Sequence, residues 1–312
     1  MTLSISRDNI ADTYEHIRDC IRLTPIFDVC PADFRVPAEK LTLKLELFQH
    51  TGSFKTRGAF THLASRTIPT AGVTAASGGN HGAAVAFAAS RYRSPARIFV
   101  PSYASQAKTD RIQTYGGEVV NGGDNFSDVL DACNAYAARS GARNIHAYDA
   151  RETIMGQGTL GLELQSQSPS IETLLVSVGG GGLIGGVSAW YQDQLRIVGV
   201  EPESSCALHT ARAAGRPVNV SVSGIAADSL GAQRIGDLNF SLAEAYVDEI
   251  VLVDDSAIAN AQSILWQKLR ILAEPGGATA LSALLSGAYQ PRANEHVGVI
   301  VCGGNLSIAG FA

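Results

Sequence analysis

A lysine at the start of a predicted helix is the strongest candidate for chemistry in this sequence. Lys55 follows Thr51 and Gly52, which end a predicted strand, and Ser53, whose hydroxyl can cap the first turn of a new helix. A cation in that turn lies beside the positive end of the helix dipole, which destabilises its charged form. The position therefore favours a neutral, nucleophilic amine, and such amines form imines with carbonyl compounds.

Two glycine-rich turns are candidate sites for anions. The run from Ser77 to Gly82 (SGGNHG) joins a predicted strand to a predicted helix, and its bare N–H groups suit a carboxylate. After Val178 the sequence has four consecutive glycines, which cost backbone entropy and therefore indicate close approach to a ligand. A phosphate at a helix N-terminus fits that second turn best.

Two further loops carry single reactive side chains. Glu274 lies in the loop AEPGG, where a solvated glutamate is the ordinary interpretation. Cys302 follows the last predicted strand in VCGGN, where a buried structural cysteine is common. Neither residue type identifies a function without its neighbours.

Strands and helices alternate along most of the chain. Leucines at every second position from Leu41 to Leu47 predict a strand with one apolar face. Further strands are predicted at 72–76, 96–100, 118–120, 144–148, 173–178, 196–200, 250–253 and 297–301. An early helix is predicted from the spacing of Ile10 and Ile21, with Asp8 as its cap. The alternation predicts an α/β fold of mostly parallel open sheets with helices on both faces.

Two domains are expected in this fold. The short units at 70–149 predict a small, mobile domain, and residues 1–69 and 150–312 then form the large one. The candidate loops follow predicted strands, and ligands of open α/β sheets bind at the carboxyl ends of strands.

The composition excludes several classes of function. The chain has 312 residues, a net charge of −5 and no basic stripe, so we expect no nucleic-acid partner. It has neither a secretory signal nor an apolar run of membrane-spanning length, so we expect no membrane partner. Five scattered cysteines without a CxxC pair indicate a reducing, cytoplasmic location with neither a disulfide frame nor a zinc site.

The string KLELFQHTGSFKTRGAF, at residues 44–60, resembles the lysine signature of the fold-type II pyridoxal-phosphate (PLP) enzymes. Nearly the whole chain resembles their serine/threonine dehydratase and serine racemase group. The resemblance implies the two-domain fold of that family, with Lys55 holding PLP as an imine and Phe54 beside the cofactor. Relatives are often dimers, so we expect a homodimer.

The same resemblance assigns roles to the other loops. Asn80 contacts the 3′-hydroxyl of PLP, and Glu274 lies near its ring. Cys302 faces the pyridine nitrogen, where a neutral thiol favours β-elimination over transamination because it cannot keep that nitrogen protonated. The substrate carboxylate is assigned to Ser77, Gly78, Gly79, Asn80 and His81. The cofactor phosphate is assigned to Gly179, Gly180, Gly181, Gly182 and Leu183.

The resemblance therefore predicts a lyase for a small amino acid. L-Threonine, L-serine or both would be dehydrated and deaminated to a 2-oxo acid and ammonia, with Lys55 as the general base. The chain ends at Ala312, soon after its last predicted strand, so we expect no regulatory domain and no feedback control by isoleucine.

Other functions remain open at this point. A serine racemase needs a proton donor where this chain has Gly78, and a 3-hydroxyaspartate dehydratase would use the same site. A protein that binds PLP or a nucleotide without catalysis is a further alternative. Ser229 also stands where the family carries a glycine.

Two ligand alternatives also follow from the sequence. Gly180, Gly182 and Gly185 fit the G-x-G-x-x-G pattern of NAD sites, with Glu201 as the ribose-binding acid. Some relatives bind Mg²⁺ through a Glu-Pro segment and a later Asp. Here Glu201 has Ala207 at that later position, so we predict no metal site.

Overall fold

The computed structural model describes residues 5–64 and 67–306, and within these ranges the strands form two separate sheets. The strands are β1 (Ile26–Val29), β2 (Lys40–Lys44), β3 (Val73–Ala76), β4 (Ala96–Pro101), β5 (Glu118–Gly123), β6 (Arg143–Asn144), β7 (Thr173–Ser177), β8 (Arg196–Pro202), β9 (Glu249–Val253) and β10 (His296–Ile300). The predicted chain end at Ala312 lies outside the described residues.

Helices cover the sheets and connect most of the strands. They are α1 (Arg7–Ile17), α2 (Lys55–Ala64), α3 (Asn80–Arg91), α4 (Gln106–Thr114), α5 (Phe126–Ser140), α6 (Arg151–Gln167), α7 (Gly182–Tyr191), α8 (Ala207–Ala214), α9 (Ala227–Leu230), α10 (Asp237–Tyr246), α11 (Asp255–Leu269) and α12 (Pro275–Ser286). Among the described helices, none combines the length and the apolar character that a bilayer crossing requires.

Parallel pairing dominates both sheets. The larger sheet has the order β1-β2-β10-β7-β8-β9, with β1 antiparallel to β2 and the other neighbours parallel. The smaller sheet has the parallel order β5-β4-β3-β6. The predicted α/β class, with mostly parallel sheets, is confirmed.

The smaller sheet and its helices use residues 73–144 only, which we call the small lobe, and the other described residues form the large lobe. These residues fall inside the predicted small domain at 70–149, and independent movement of that domain stays a prediction. One predicted strand is shorter than expected, because β6 ends at Asn144 and not at Tyr148.

The inner strands of the larger sheet, including β2, are buried on both faces, and this changes the interpretation of the alternating pattern in β2. In β2 the polar residues Thr42 and Lys44 are as fully buried as the leucines between them. The predicted strand end at Leu47 is wrong, because β2 stops at Lys44 and a 3₁₀ turn follows. That turn directs Glu46 toward Arg57, which binds its carboxylate.

Both predicted helix caps are wrong. Ser53 is in extended conformation and pairs with Gly303 as an isolated β-bridge, and α2 begins at Lys55 without a cap from the Ser53 hydroxyl. The cap of α1 is Ser6, and Asp8 lies inside the first turn of that helix. Ser53 is drawn into a β-bridge by tertiary pairing, and the neighbouring Ser6 caps α1 in place of Asp8.

Candidate active site

Lys55 is the first residue of α2, and its amine points at the segment that follows the small lobe. Nζ donates a hydrogen bond to the carbonyl oxygen of Ala147 at 2.8 Å and lies 5.1 Å from the centre of the Phe54 ring. Burial lowers the pKa of Lys55 to about 8, although nearby Cys302 and Glu274 oppose the shift. The sequence predicted a weakened ammonium from the helix dipole, whereas desolvation is the dominant cause here.

The segment after β6 connects the lysine to the glycine-rich turn. Ala147 accepts the hydrogen bond from Lys55, and the next residue, Tyr148, packs its ring on Gly180 so closely that a Cβ there would overlap it. Asn239 then donates to the carbonyl oxygens of Tyr148 and Gly180, at 3.0 and 3.1 Å. Sequence reasoning missed Tyr148 and Asn239, because neither belongs to a motif that was recognised.

The glycine-rich turn leads directly into α7. Gly181 has a left-handed backbone with φ of +93°, and a Cβ at this position would also overlap Ile235. The first hydrogen bond of the helix runs from Gly185 N to Gly181 O at 2.7 Å, so the earlier N–H groups, including those of Gly182 and Leu183, have no intrahelical acceptor. Such a helix N-terminus suits the phosphate that the sequence assigns to it.

Asn80 and Glu274 meet directly, although 194 positions separate them in the sequence. Asn80 Nδ2 donates to Glu274 Oε1 at 2.6 Å, and Asn80 Oδ1 accepts from Asn305 Nδ2 at 2.8 Å. Burial raises the pKa of Glu274 to about 7, although the hydrogen bond from Asn80 opposes that shift. Gly303 lies so close to Glu274 that a side chain at position 303 would displace the carboxylate.

The loop before α3 presents its backbone, because its histidine ring is engaged elsewhere. His81 Nε2 donates to the carbonyl oxygen of Ile145 at 2.8 Å, and burial together with the charge of Lys55 lowers the pKa of His81 to about 3. Ser77 Oγ accepts from the N–H of Gly79 at 3.2 Å. The imidazole is therefore engaged within the protein, and the N–H groups of this loop remain as donors for a carboxylate.

Cys302 lies two residues beyond β10, close enough to Lys55 to influence the pKa of that amine. Its thiol donates to the carbonyl oxygen of Gly276 at 3.3 Å, and burial raises the pKa of Cys302 far above its usual range. The thiol is therefore neutral. Ser229, which stands where the family has a glycine, accepts a hydrogen bond from the N–H of Gly276 at 3.0 Å and so holds the start of α12 in place.

A cavity of about 480 Å³ opens between the two lobes, and we call it the interlobe cleft. Its charged residues were not recognised in the sequence, apart from Glu274. Lys108 in α4 forms an ion pair with Asp228 in α9 across the cleft. Its lining includes Asn80, Lys108 and Arg111 from the small lobe and Asp228, Ser229 and Glu274 from the large lobe.

A buried ion cluster lies behind the lysine helix, formed by Lys44, Glu46, Arg57 and Glu163. Arg57 donates to both oxygens of Glu46 at 2.8 and 2.7 Å and to Glu163 at 3.0 Å, and Lys44 forms an ion pair with Glu163. The side chains are at most 1% exposed. Because Arg57 is two residues after Lys55, the cluster fixes the turn of α2 that carries the amine.

The carboxylate proposed for an NAD ribose is already in use. Glu201 is fully buried and accepts hydrogen bonds from the N–H groups of Leu208 and His209 at 2.8 and 2.7 Å. It therefore binds the N-terminus of α8 and is not available to a ribose or, with Ala207 beside it, to a metal ion.

The side chains present match PLP group by group. Lys55 supplies an amine for its carbonyl carbon, and the glycine turn at the start of α7, which has no room for side chains at Gly180 and Gly181, supplies N–H groups for its phosphate. Asn80 supplies a hydrogen-bonding amide, and Cys302 a neutral thiol. The donor set therefore fits the cofactor that the motifs predict.

The sequence is similar to that of known lyases over nearly its full length. Residues 17–303 match the family described as pyridoxal-phosphate dependent enzyme. The chain is 36% identical to phenylserine dehydratase from Ralstonia pickettii, over 97% of this chain and 94% of that protein. It is 34% identical to L-threonine ammonia-lyase from Thermotoga maritima, over 88% of this chain and 69% of that protein.

The fold is similar to that of maize serine racemase. The TM-score is 0.93 at 32% identity, and the match covers 99% of this chain and 96% of that one. These matches overturn the NAD alternative and confirm PLP as the cofactor. The chain belongs to the pyridoxal-phosphate dependent enzymes, in the fold-type II group of dehydratases, ammonia-lyases and racemases.

Proposed function

We propose that the protein dehydrates and deaminates a 3-hydroxy amino acid, L-threonine, L-serine or both, to a 2-oxo acid and ammonia. The observation that carries this proposal is the half-buried Lys55 amine, whose pKa is lowered to about 8, in a site whose buried thiol is neutral. The relatives named phenylserine dehydratase and L-threonine ammonia-lyase support the same reaction class.

In this proposal the loops divide the task of binding. Lys55 holds the cofactor beside Phe54, and the turn from Gly179 to Leu183 holds its phosphate. Asn80 orients the ring, and its hydrogen bond to Glu274 at 2.6 Å fixes the direction of its amide. The N–H groups of the Ser77–His81 loop receive the substrate carboxylate.

The residues of this chain then account for the proton movements. When bound, PLP supplies the electron sink that makes the substrate Cα–H bond acidic. Neutral Lys55 accepts the Cα proton as a general base. The β-hydroxyl departs as water with the proton that the Lys55 ammonium returns, and the enamine product takes up water and hydrolyses to the 2-oxo acid and ammonia. Because the neutral thiol of Cys302 cannot keep the pyridine nitrogen protonated as a carboxylate would, transamination is disfavoured.

Serine racemisation is the second candidate, because the fold is similar to that of maize serine racemase. In racemases of this group, a serine in the loop before α3 returns a proton to the opposite face of Cα. This chain has Gly78 there, which carries no proton to give. We therefore assign racemisation a minor rate beside dehydration.

The visible absorption spectrum of the holoenzyme, recorded with an assay for oxo acid, tests this proposal. We expect a visible band that shifts on addition of L-threonine or L-serine, and we expect Lys55→Ala to lack both the band and the activity. A protein that PLP cannot colour would overturn the cofactor assignment. A coloured protein that forms oxo acid from neither substrate would overturn the assignment of L-threonine and L-serine and leave the cofactor assignment intact.

We also propose that two copies of the chain associate. Support comes from three large apolar side chains on or near the edge strand β1: Leu23, Phe27 and Phe48 are 68%, 46% and 47% exposed. Sedimentation velocity should give a dimer for the native protein and a weaker dimer for Phe27→Ser. A monomer at micromolar concentration would contradict the proposal.

A further inference from the structure

Arg111 is a cation in the interlobe cleft to which no role in binding or catalysis has yet been assigned. It lies in α4 of the small lobe, is half-buried, and faces a cavity whose other wall includes Ser229 and Glu274. Within the described part of the chain, its guanidinium has neither a hydrogen-bond nor an ion-pair partner. A partly desolvated charge without a partner is costly, so this arrangement suggests a site for an incoming anion.

The remaining charges of the cleft do not neutralise Arg111. Lys108 and Asp228 form an ion pair and cancel each other. Glu274 is the other acidic group that lines the cleft, and it is buried and held by Asn80. Burial raises the pKa of Glu274 to about 7, so near neutral pH it carries only part of its charge, and the effect of Arg111 on this pKa places the guanidinium within electrostatic reach of the site.

A second anionic group on the substrate fits this excess of positive charge. The proposed site for the α-carboxylate uses N–H groups at the start of α3, which leaves the Arg111 guanidinium unused by L-threonine or L-serine. A guanidinium presents paired donors that match a carboxylate, and in a partly closed cleft the attraction is stronger than in water.

We propose that Arg111 determines specificity by pairing with a carboxylate on the substrate β-carbon, so that a dicarboxylic 3-hydroxy amino acid is preferred over L-threonine. This inference rests on the proposed function, because it names the substrate class of the same site. Arg111 acts on binding and not on the proton transfers, which belong to Lys55.

Steady-state kinetics with L-threonine and the diastereomers of 3-hydroxyaspartate test the inference. In the native enzyme we expect a higher kcat/KM for one 3-hydroxyaspartate than for L-threonine. Arg111→Met should lower that value by about tenfold to a hundredfold, as for a lost charge-assisted pair, and change the L-threonine value by less than about threefold. Arg139→Met removes the same charge from an exposed position on α5 and should behave as the native enzyme.

Two results would overturn the inference. One is a native enzyme that prefers L-threonine, and the other is an equal loss for both substrates in Arg111→Met, which would assign the guanidinium to the α-carboxylate.

Ligand binding without turnover separates this inference from the reaction itself. L-Aspartate and L-alanine differ by the β-carboxylate, and neither carries a β-hydroxyl to eliminate. Calorimetric titration of the holoenzyme should give a Kd at least about tenfold lower for L-aspartate, and Arg111→Met should abolish the difference. If no hydroxy amino acid is converted but this preference remains, the proposed reaction fails and the anion site stands. Equal Kd values in the native holoenzyme would overturn the site.

Discussion

The lowered pKa of Lys55 makes the reaction depend on pH in a direction fixed by its role as a base. A base must be neutral, and the amine is neutral above its pKa of about 8. We therefore expect kcat to rise between pH 6 and 8 and to level off above about pH 8. The measurement is kcat against pH with substrate protonated or deuterated at Cα, where an isotope effect shows that proton removal limits the rate. A kcat that is constant from pH 6 to 9 despite an isotope effect would exclude Lys55 as the base.

Gly78 offers a test of what separates dehydration from racemisation. A Cβ at Gly78 would lie 3.5 Å from Ala104 Cβ, which is ordinary contact, so a serine fits without displacement of the loop. We expect Gly78→Ser to raise D-serine formation from L-serine by about tenfold or more, because the hydroxyl can return a proton to Cα. Chiral chromatography measures the product.

The neighbouring glycine supplies the matched control. A Cβ at Gly79 meets open space, so Gly79→Ser adds the same hydroxyl one position away. Equal D-serine formation in the two variants would show that position 78 has no special access to Cα.

Single residues were predictable where a short string carries the chemistry. Lys55, Asn80 and Glu274 were found in their loops, and the structure brings Asn80 and Glu274 into contact. The hydrogen bond of the His81 ring could not be predicted, because its partner, the carbonyl oxygen of Ile145, lies 64 positions away. Arg111 was missed because a lone arginine in a helix resembles a solvated residue until the opposite wall of the cleft is known.

Strands and helices were predicted well where the periodicity of their apolar residues was clear, and less well at their ends. The alternating leucines located β2, but the strand stops at Lys44 since Lys44 and Glu46 join the buried ion cluster. Lys44 and Glu163 are 119 positions apart, so no local pattern indicates that both are buried. The C-terminal end of this strand is therefore set by tertiary ion pairing.

The buried ion cluster makes a prediction about the stability of the lysine helix. Arg57→Met leaves Glu46 and Glu163 without their shared cation, and removal of one partner from a buried cluster costs about 3–5 kcal/mol. We expect the free energy of unfolding in urea to fall by that amount. Arg97→Met is the control, because its pair with Glu118 is 36% and 58% exposed and is worth less than about 1 kcal/mol. Equal stability of the two variants would contradict the role given to the cluster.

The molecule as a whole consists of two sheets that meet across the interlobe cleft, and the site needs both. The sequence located the small lobe from its short alternating units. It could not show which surfaces of the lobes face each other, because Lys108 and Asp228 are 120 positions apart and belong to no recognised motif. Their ion pair is a direct link between α4 and the large lobe.

Because this ion pair connects the two lobes across the cleft, its loss is expected to weaken substrate binding. Lys108 and Asp228 are 33% and 65% exposed, so their pair is worth at most about 1 kcal/mol and is screened by salt. We expect Lys108→Met and Asp228→Asn each to raise KM by about twofold to fivefold with little change in kcat, and the double variant to be no worse than either, because both remove one interaction. The effect should shrink in about 1 M salt. If the two increases in KM multiply instead, or if Asp228→Asn has none, Lys108 acts on the substrate directly and the pair does not hold the lobes together.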